Sequence, residues 1–72
     1  MKTTPEVQAA IQQALDKAGG QRQLALALGV TQQAVSAWLN GDKWMPVKRA
    51  RQVEELTGVP AASMVNPEKV LG

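Results

Sequence analysis

The chain contains no cysteine and no histidine among its 72 residues. Without cysteine, neither a disulfide nor a thiolate metal site can stabilise the fold. Without histidine, the commonest metal ligand and the commonest general acid or base are both missing. Phenylalanine and tyrosine are also absent, which leaves two tryptophans as the aromatic residues. We therefore expect packing between helices to stabilise the chain, and we expect no cofactor, no metal site and no catalytic residue.

Long apolar runs are also missing from the sequence. No run approaches the roughly 18 apolar residues that span a bilayer, and the first residues, MKTTPEVQ, contain no apolar signal-peptide region. We therefore expect a cytoplasmic protein that does not bind a membrane. The length predicts one domain over residues 1–72, with a small core that buries about 60% of the surface of the unfolded chain.

Basic residues are concentrated in the middle of the chain, although the formal net charge is only +2. Residues 43–51, KWMPVKRAR, include four basic side chains and no acidic one. Five of the six acidic residues lie outside residues 17–53. Clustered positive charge of this kind is typical of a surface that faces an anion.

Helix start and stop signals divide the sequence into four helices and a short fifth one. The first four begin after a threonine, a glycine or a proline and end at a glycine, and apolar residues recur within them at helical spacing. No strand-like alternation is present. The sequence therefore predicts an all-α fold, a small bundle of four or five helices over 5–18, 21–28, 32–40, 46–57 and 60–65.

The third predicted helix, within the stretch GVTQQAVSAWLNG, has an unusual outer face. At about 100° per residue, Ala34, Val35 and Trp38 form an inward stripe. The opposite face and its flank carry uncharged polar residues: Gln32, Gln33, Ser36 and Asn40. Amides both donate and accept hydrogen bonds, as pairing with the N6 and N7 edge of adenine requires. A merely solvated face normally carries Lys and Glu, but the alternative stays open because Gln is itself a good helix former.

The second and third helices are joined by a short turn that contains glycine. The positions with a packing role follow a definite spacing: Ala25, Gly29, Val30, Val35 and Trp38. The small side chain of Ala25 allows the two helices to cross closely, and Gly29 can adopt the positive φ of a sharp turn. This spacing predicts a helix-turn-helix over about 21–40, with its second helix held where a DNA groove can receive it.

The segment GGQRQLALALGVTQQAVSAWLNG resembles the helix-turn-helix of phage Cro and repressor proteins. Together with PVKRARQVEELTGVPAASMVNPE, it resembles the Cro and YdaS-like group of small bacterial and prophage regulators over residues 7–68. The resemblance implies a lambda-repressor-like DNA-binding domain whose second motif helix lies in the major groove. It implies base contacts from Thr31, Gln32, Gln33, Ser36 and Asn40, of which Gln32, Gln33 and Ser36 are foremost. It implies contacts to the DNA backbone from Gln21, Arg22, Lys43 and Lys48.

Two departures from the family pattern qualify this resemblance. Members of the family often carry Arg or Lys in the reading helix, and this chain has neither there, so we do not expect a guanine-specific contact from that helix. The sequence NPEK, at residues 66–69, replaces the Arg or Asp that often stands beside the proline, which leaves the role of the tail open.

We therefore interpret the chain as a sequence-specific transcriptional regulator, a Cro-type repressor that binds operator DNA. One small module makes few contacts, so we expect a homodimer, in solution or on DNA, with half-sites roughly 34 Å apart. The C-terminal third is apolar enough to form the dimer surface, although capping of the core is a competing explanation. The residues concerned are Val59, Met64, Val65, Val70 and Leu71.

Other interpretations of the sequence remain open. An antitoxin could act by direct contact with a toxin and bind DNA only for autoregulation, or not at all; an enzyme is the weakest hypothesis. We expect Arg49 and Arg51 on the solvent side of the fourth helix, where pairing with Glu54 or Glu55 competes with phosphate contact. For Trp44 we expect packing against the start of the fourth helix rather than stacking on DNA.

Overall fold

The structure, a computed structural model, describes residues 3–66, which contain four α-helices and one short 3-10 helix. Within that range there is no β-strand, so the all-α prediction is confirmed. Helix α1 packs against every other helical element and is the scaffold of the bundle. The helices are α1 (Pro5–Ala18), α2 (Gln21–Leu28), α3 (Gln32–Asn40), α4 (Val47–Thr57) and the 3-10 helix (Ala61–Ser63).

The helix ends follow the signals in the sequence. The Thr4 side chain accepts a hydrogen bond from the Val7 amide at 3.3 Å, and the Thr31 side chain accepts one from the Ala34 amide at 3.1 Å. Each of these caps satisfies an amide that has no partner within its helix. Each of the four α-helices ends at a glycine with positive φ. The predicted boundaries are therefore confirmed for α1, α2 and α3, whereas α4 begins one residue later, after Pro46. The helix predicted over 60–65 is shorter, a 3-10 helix over Ala61–Ser63.

All four α-helices contribute mainly aliphatic side chains to the core, as the helical spacing predicts, and residues from the segments after α3 and α4 complete it. At the end of α4, where the sequence allowed either Leu56 or Thr57 to face inward, Leu56 is 55% exposed. The Thr57 hydroxyl instead donates to the Val53 carbonyl at 2.8 Å and accepts from the Val59 amide at 3.2 Å. Thr57 therefore closes α4 and leads the chain back toward the core.

The C-terminal segment belongs to the core of its own chain. Val59, Met64 and Val65 are each at most 2% exposed and pack in the main apolar cluster. The Glu54 carboxylate accepts a hydrogen bond from the Ala61 amide at 3.2 Å and so ties the 3-10 helix to α4. The prediction of a dimer surface is therefore wrong for these three apolar residues, which cap the core. Val70 and Leu71 lie outside the described residues.

Trp38 packs inward as predicted, and Trp44 packs against the apolar cluster. Trp38 is 5% exposed on the inward side of α3. Trp44 is half-buried and packs against the core from the segment that links α3 to α4. Its neighbour Met45, to which the sequence analysis assigned no role, is 2% exposed. This linker is therefore anchored in the core.

The N-terminal segment lies across the end of α3. The Thr3 amide donates to the Gly41 carbonyl at 3.0 Å. The side-chain amide of Gln8 donates to the Thr3 carbonyl at 3.3 Å and to the Thr3 hydroxyl at 3.4 Å. Thr3 is 5% exposed, and these bonds satisfy polar groups that burial would otherwise penalise. Helix α3 is thus held at its C-terminal end by residues from the beginning of the chain.

Candidate nucleic-acid interface

Helices α2 and α3 form a helix-turn-helix with three residues between them. Gly29 ends α2 with φ of 72°, and the Val30 amide donates to the Ala25 carbonyl at 3.0 Å. Val30 then packs against the core, and Thr31 caps the following helix. Because the turn is short and hydrogen-bonded, the direction of α2 determines where α3 begins.

Helix α3 has one buried face and one polar face. Val35 is fully buried and Trp38 nearly so, and the helix packs against α1 and α2. Gln32 and Gln33 are exposed, and within residues 3–66 neither side-chain amide has a hydrogen-bond partner. The structure therefore presents two adjacent amides, both able to donate and accept, at the first turn of an anchored helix.

The other three residues predicted to contact bases also belong to this region. Thr31 and Asn40 are exposed at the two ends of α3, and Ser36 is half-buried between them. The Asn40 amide donates to the Ser36 hydroxyl at 3.3 Å. The Ser36 proton can still be donated to a ligand, because a hydroxyl both accepts and donates. The structure therefore brings all five predicted base-contacting residues onto α3 or its N-cap.

The predicted backbone-contacting residues are more widely distributed. Gln21 and Arg22 form the start of α2, where Gly20 provides no side-chain cap, so the first amides of this helix can face an anion. Lys43 lies three residues after the end of α3, and its backbone amide donates to the Ala37 carbonyl at 3.3 Å. Lys48 is exposed on the first turn of α4. Among the described elements α4 does not pack against α3, so the structure does not bring Lys48 beside the polar face of α3.

Arg49 does not lie where the sequence predicted. Its guanidinium is half-buried and donates through Nη1 to the Leu28 carbonyl and to the Gln52 side-chain oxygen, each at 3.0 Å. The predicted pairing of Arg49 with Glu54 or Glu55 on a solvent face is therefore wrong. The physical reason is that α4 packs against α2, so position 49 meets the C-terminal end of α2, where carbonyls lack helical partners and the dipole favours a cation. Arg51 is exposed, as predicted.

No group of three or more acidic, cysteine or histidine side chains is placed to hold a metal ion within residues 3–66. A groove of about 580 Å³ lies between α1 and residues 62–65, and Glu6 is the one acidic residue that lines it. None of the helices in residues 3–66 is both long enough and apolar enough to cross a membrane.

Comparison with known proteins gives one match. The model of a family described as bacterial toxin YdaS matches residues 11–64. The matched range contains all of α2, α3 and α4 together with the second half of α1. No curated protein and no solved structure matches the chain. The family match therefore covers the whole helix-turn-helix and the elements that support it.

Proposed function

The chain belongs to the family described as bacterial toxin YdaS, and from that premise we propose that it is a sequence-specific DNA-binding transcriptional regulator. In this proposal it acts as a Cro-type repressor and reads operator DNA with α3 in the major groove. The observation that carries the proposal is the pair of exposed amides at Gln32 and Gln33, without partners among residues 3–66, on a helix whose other face is buried. A helix positioned in this way can enter a groove about 12 Å wide without disturbing the core.

The chemistry of the polar face favours adenine as the base that is read. A glutamine amide can donate to N7 and accept from N6 of adenine at the same time, whereas the paired acceptors of guanine favour Arg or Lys. The stretch from Thr31 to Gly41 contains no basic residue. Thr31 already accepts a hydrogen bond from the Ala34 amide, so its hydroxyl proton and methyl group remain for DNA. Ser36 and Asn40 extend the same surface along the helix.

In this proposal the basic residues contact the phosphates of the DNA backbone rather than the bases. Gln21 and the uncapped first turn of α2 would bind one phosphate, since backbone amides at a helix start favour an anion. Arg22, Lys43 and Lys48 would supply further phosphate contacts. Each basic contact of this kind contributes about 0.9 to the slope of log K against log salt.

The proposal is tested by separating base contacts from backbone contacts. Selection from a random DNA pool first supplies the preferred site, and affinities are then measured on that site and on random DNA at several salt concentrations. Gln33→Ala should cost about 1 to 3 kcal/mol on the selected site and little on random DNA. Lys43→Ala should weaken both and lower the salt slope by about one unit.

Gln13→Ala is the matched control, because Gln13 is also an exposed helical glutamine but lies on α1. It should leave both affinities unchanged. Equal losses on both DNAs for Gln33→Ala would contradict base reading by α3. The same selection tests the homodimer, because two copies on half-sites require a palindrome with a spacing of about one helical turn. A single unrepeated site would contradict the two-copy arrangement.

The description of the family supports a second candidate function. Because it names a bacterial toxin, the chain is also a candidate member of a toxin and antitoxin pair, as an antitoxin that contacts a toxin and binds DNA for autoregulation. The polar face of α3 lacks the aromatic and Met anchors that protein interfaces favour, so we rank this function second. A stable complex between the purified chain and the product of a neighbouring gene, retained in Gln33→Ala, would favour it over the first.

A further inference from the structure

The end of α2 has little support on its outer side. Leu26 is 68% exposed, and Ala27 and Gly29 are exposed. A Cβ atom added at Gly29 would have no atom within 4 Å apart from its neighbours in the chain. The turn amides of Gly29 and Val30 bond to the Leu26 and Ala25 carbonyls. Among the described residues, no backbone amide donates to the carbonyl of Leu28, the last residue of α2. A carbonyl at a helix end is satisfied by water or by a side chain.

The Arg49 side chain reaches this carbonyl from α4. Its Nη1 lies 3.0 Å from the Leu28 oxygen and 3.0 Å from the side-chain oxygen of Gln52, which lies one turn further along α4. Both Arg49 and Gln52 are half-buried. The guanidinium donors have a fixed planar geometry, so Gln52 holds the group in the orientation in which it also binds Leu28. A lysine would place a single rotatable ammonium there and lose that geometry.

We propose that Arg49 is a positioning residue for DNA reading: by binding the Leu28 carbonyl, it fixes the end of α2 and thereby the place and direction at which α3 begins. This inference rests on the proposed function of α3. Helix α4 does not pack against α3 in the described range. Helix α1 contacts both of them along their buried faces, whereas the bond from Arg49 is the contact through which α4 holds the end of α2 next to the turn. Three residues separate Leu28 from Gln32, and a displacement of the α2 end would therefore move Gln32 and Gln33 directly.

The test uses Arg49→Met, which keeps an unbranched apolar stem, shorter than that of arginine, but removes every donor. Arg51→Met is the matched control, because it removes the same charge from an exposed position on the same helix. Affinities for the selected site and for random DNA are measured at a temperature where circular dichroism shows every variant folded. Arg49→Met should lower the ratio of the two affinities about 3- to 30-fold, whereas Arg51→Met should leave the ratio unchanged.

Three more variants separate positioning from charge and from general stability. Gln52→Met, which changes no charge, should lower the same ratio less than Arg49→Met does. The double variant should lower it no more than Arg49→Met alone, because both substitutions remove one network. The salt slope of Arg49→Met should equal that of the wild type, because the guanidinium contacts the Leu28 carbonyl and not a phosphate. In Arg49→Lys the ratio should remain low, since the lysine side chain is one bond shorter and its rotatable ammonium does not hold a donor at the position of Nη1.

Hydrogen exchange in the free protein provides a readout that does not depend on DNA. Arg49→Met should raise the exchange rate of the Val30 and Ala34 amides and leave that of the Ile11 amide in α1 unchanged. Unchanged exchange at the turn, an unchanged affinity ratio or a reduced salt slope would each overturn the positioning role. If wild type prefers its site and only Gln33→Ala loses that preference, the positioning inference fails while the proposed function stands. A wild type without site preference overturns both.

Discussion

The two ends of α3 are held in different ways. At the N-terminal end, Gly29 is exposed, and a methyl group added there would meet no atom within 4 Å. At the C-terminal end, Gly41 is buried. A methyl group added to Gly41 would collide with the side-chain amide of Gln8 and lie 3.0 Å from the Thr3 hydroxyl. The first end is therefore open to solvent, whereas the second is enclosed by the start of the chain.

The more open end of α3 is also the end that carries the amides proposed to read DNA. Close packing and the hydrogen bond from Thr3 fix the position of the C-terminal end of α3. The N-terminal end carries Gln32 and Gln33 and depends on hydrogen bonds at the surface of the bundle, including the one from Arg49. Exposed hydrogen bonds with few packing contacts are the features of regions that open most easily. We therefore expect the part of α3 that carries the amides to have the lower local stability.

Gly41→Ala should produce the largest loss of stability among the variants that probe this contrast. Alanine there adds left-handed backbone strain of roughly 1–2 kcal/mol to overpacking of roughly 1–3 kcal/mol, so the free energy of unfolding should fall by about 3 kcal/mol. Urea denaturation followed by Trp38 fluorescence measures it. The contrast between the two ends would be broken if Gln8 and Thr3 moved aside and the loss did not exceed that of Gly29→Ala.

Gly29→Ala should have an intermediate effect. The backbone strain is of the same kind, but the site has room for a methyl group, so the loss should be about 1–2 kcal/mol. Denaturation of Gly58→Ala provides the control, because Gly58 also has positive φ and open space beyond it. A loss at Gly29 well above that at Gly58 would mean that the turn carries constraints beyond its backbone conformation.

Thr31→Ala should have the smallest effect on stability. It removes one capping hydrogen bond and should cost about 1 kcal/mol, close to the loss in Thr4→Ala, where the same residue type caps α1. Thr31→Ser, which keeps the oxygen, should recover most of this loss. Hydrogen exchange at the Ala34 amide measures the effect locally. If α1 and α3 responded very differently, the open end of α3 would contribute more to stability than its exposure indicates.

Local signals were sufficient to predict most of the fold. Threonine caps, prolines and terminal glycines predicted the helix boundaries, and helical spacing predicted burial at Val35 and Trp38. Both kinds of signal act within one or two turns of chain, so the sequence displays them directly. The same helical spacing predicted which side of α3 faces outward, although the contact of its residues with DNA remains a prediction.

The features that were missed depend on which elements become neighbours. The bond from Arg49 requires α4 to pack against the end of α2, and the dimer-surface residues Val59 and Met64 were misassigned because the 3-10 helix folds back onto α1 and α4. The contact between Thr3 and Gly41 joins distant parts of the chain. No periodicity within a single helix contains this information. Gln52, three residues after Arg49, was a signal that the arginine had a local partner other than an acid.

The contact between Thr3 and Gly41 also has a practical consequence for engineering. Any fluorophore, affinity tag or second domain joined just before Thr3 would be attached beside the C-terminal end of α3, at a point where the chain is held by a backbone bond. If α3 binds DNA as proposed, such a label would report the binding closely, because its point of attachment is fixed beside the helix. For the same reason, a bulky fusion there would obstruct the proposed entry of α3 into the DNA groove. A spacer should therefore separate the fusion from Thr3.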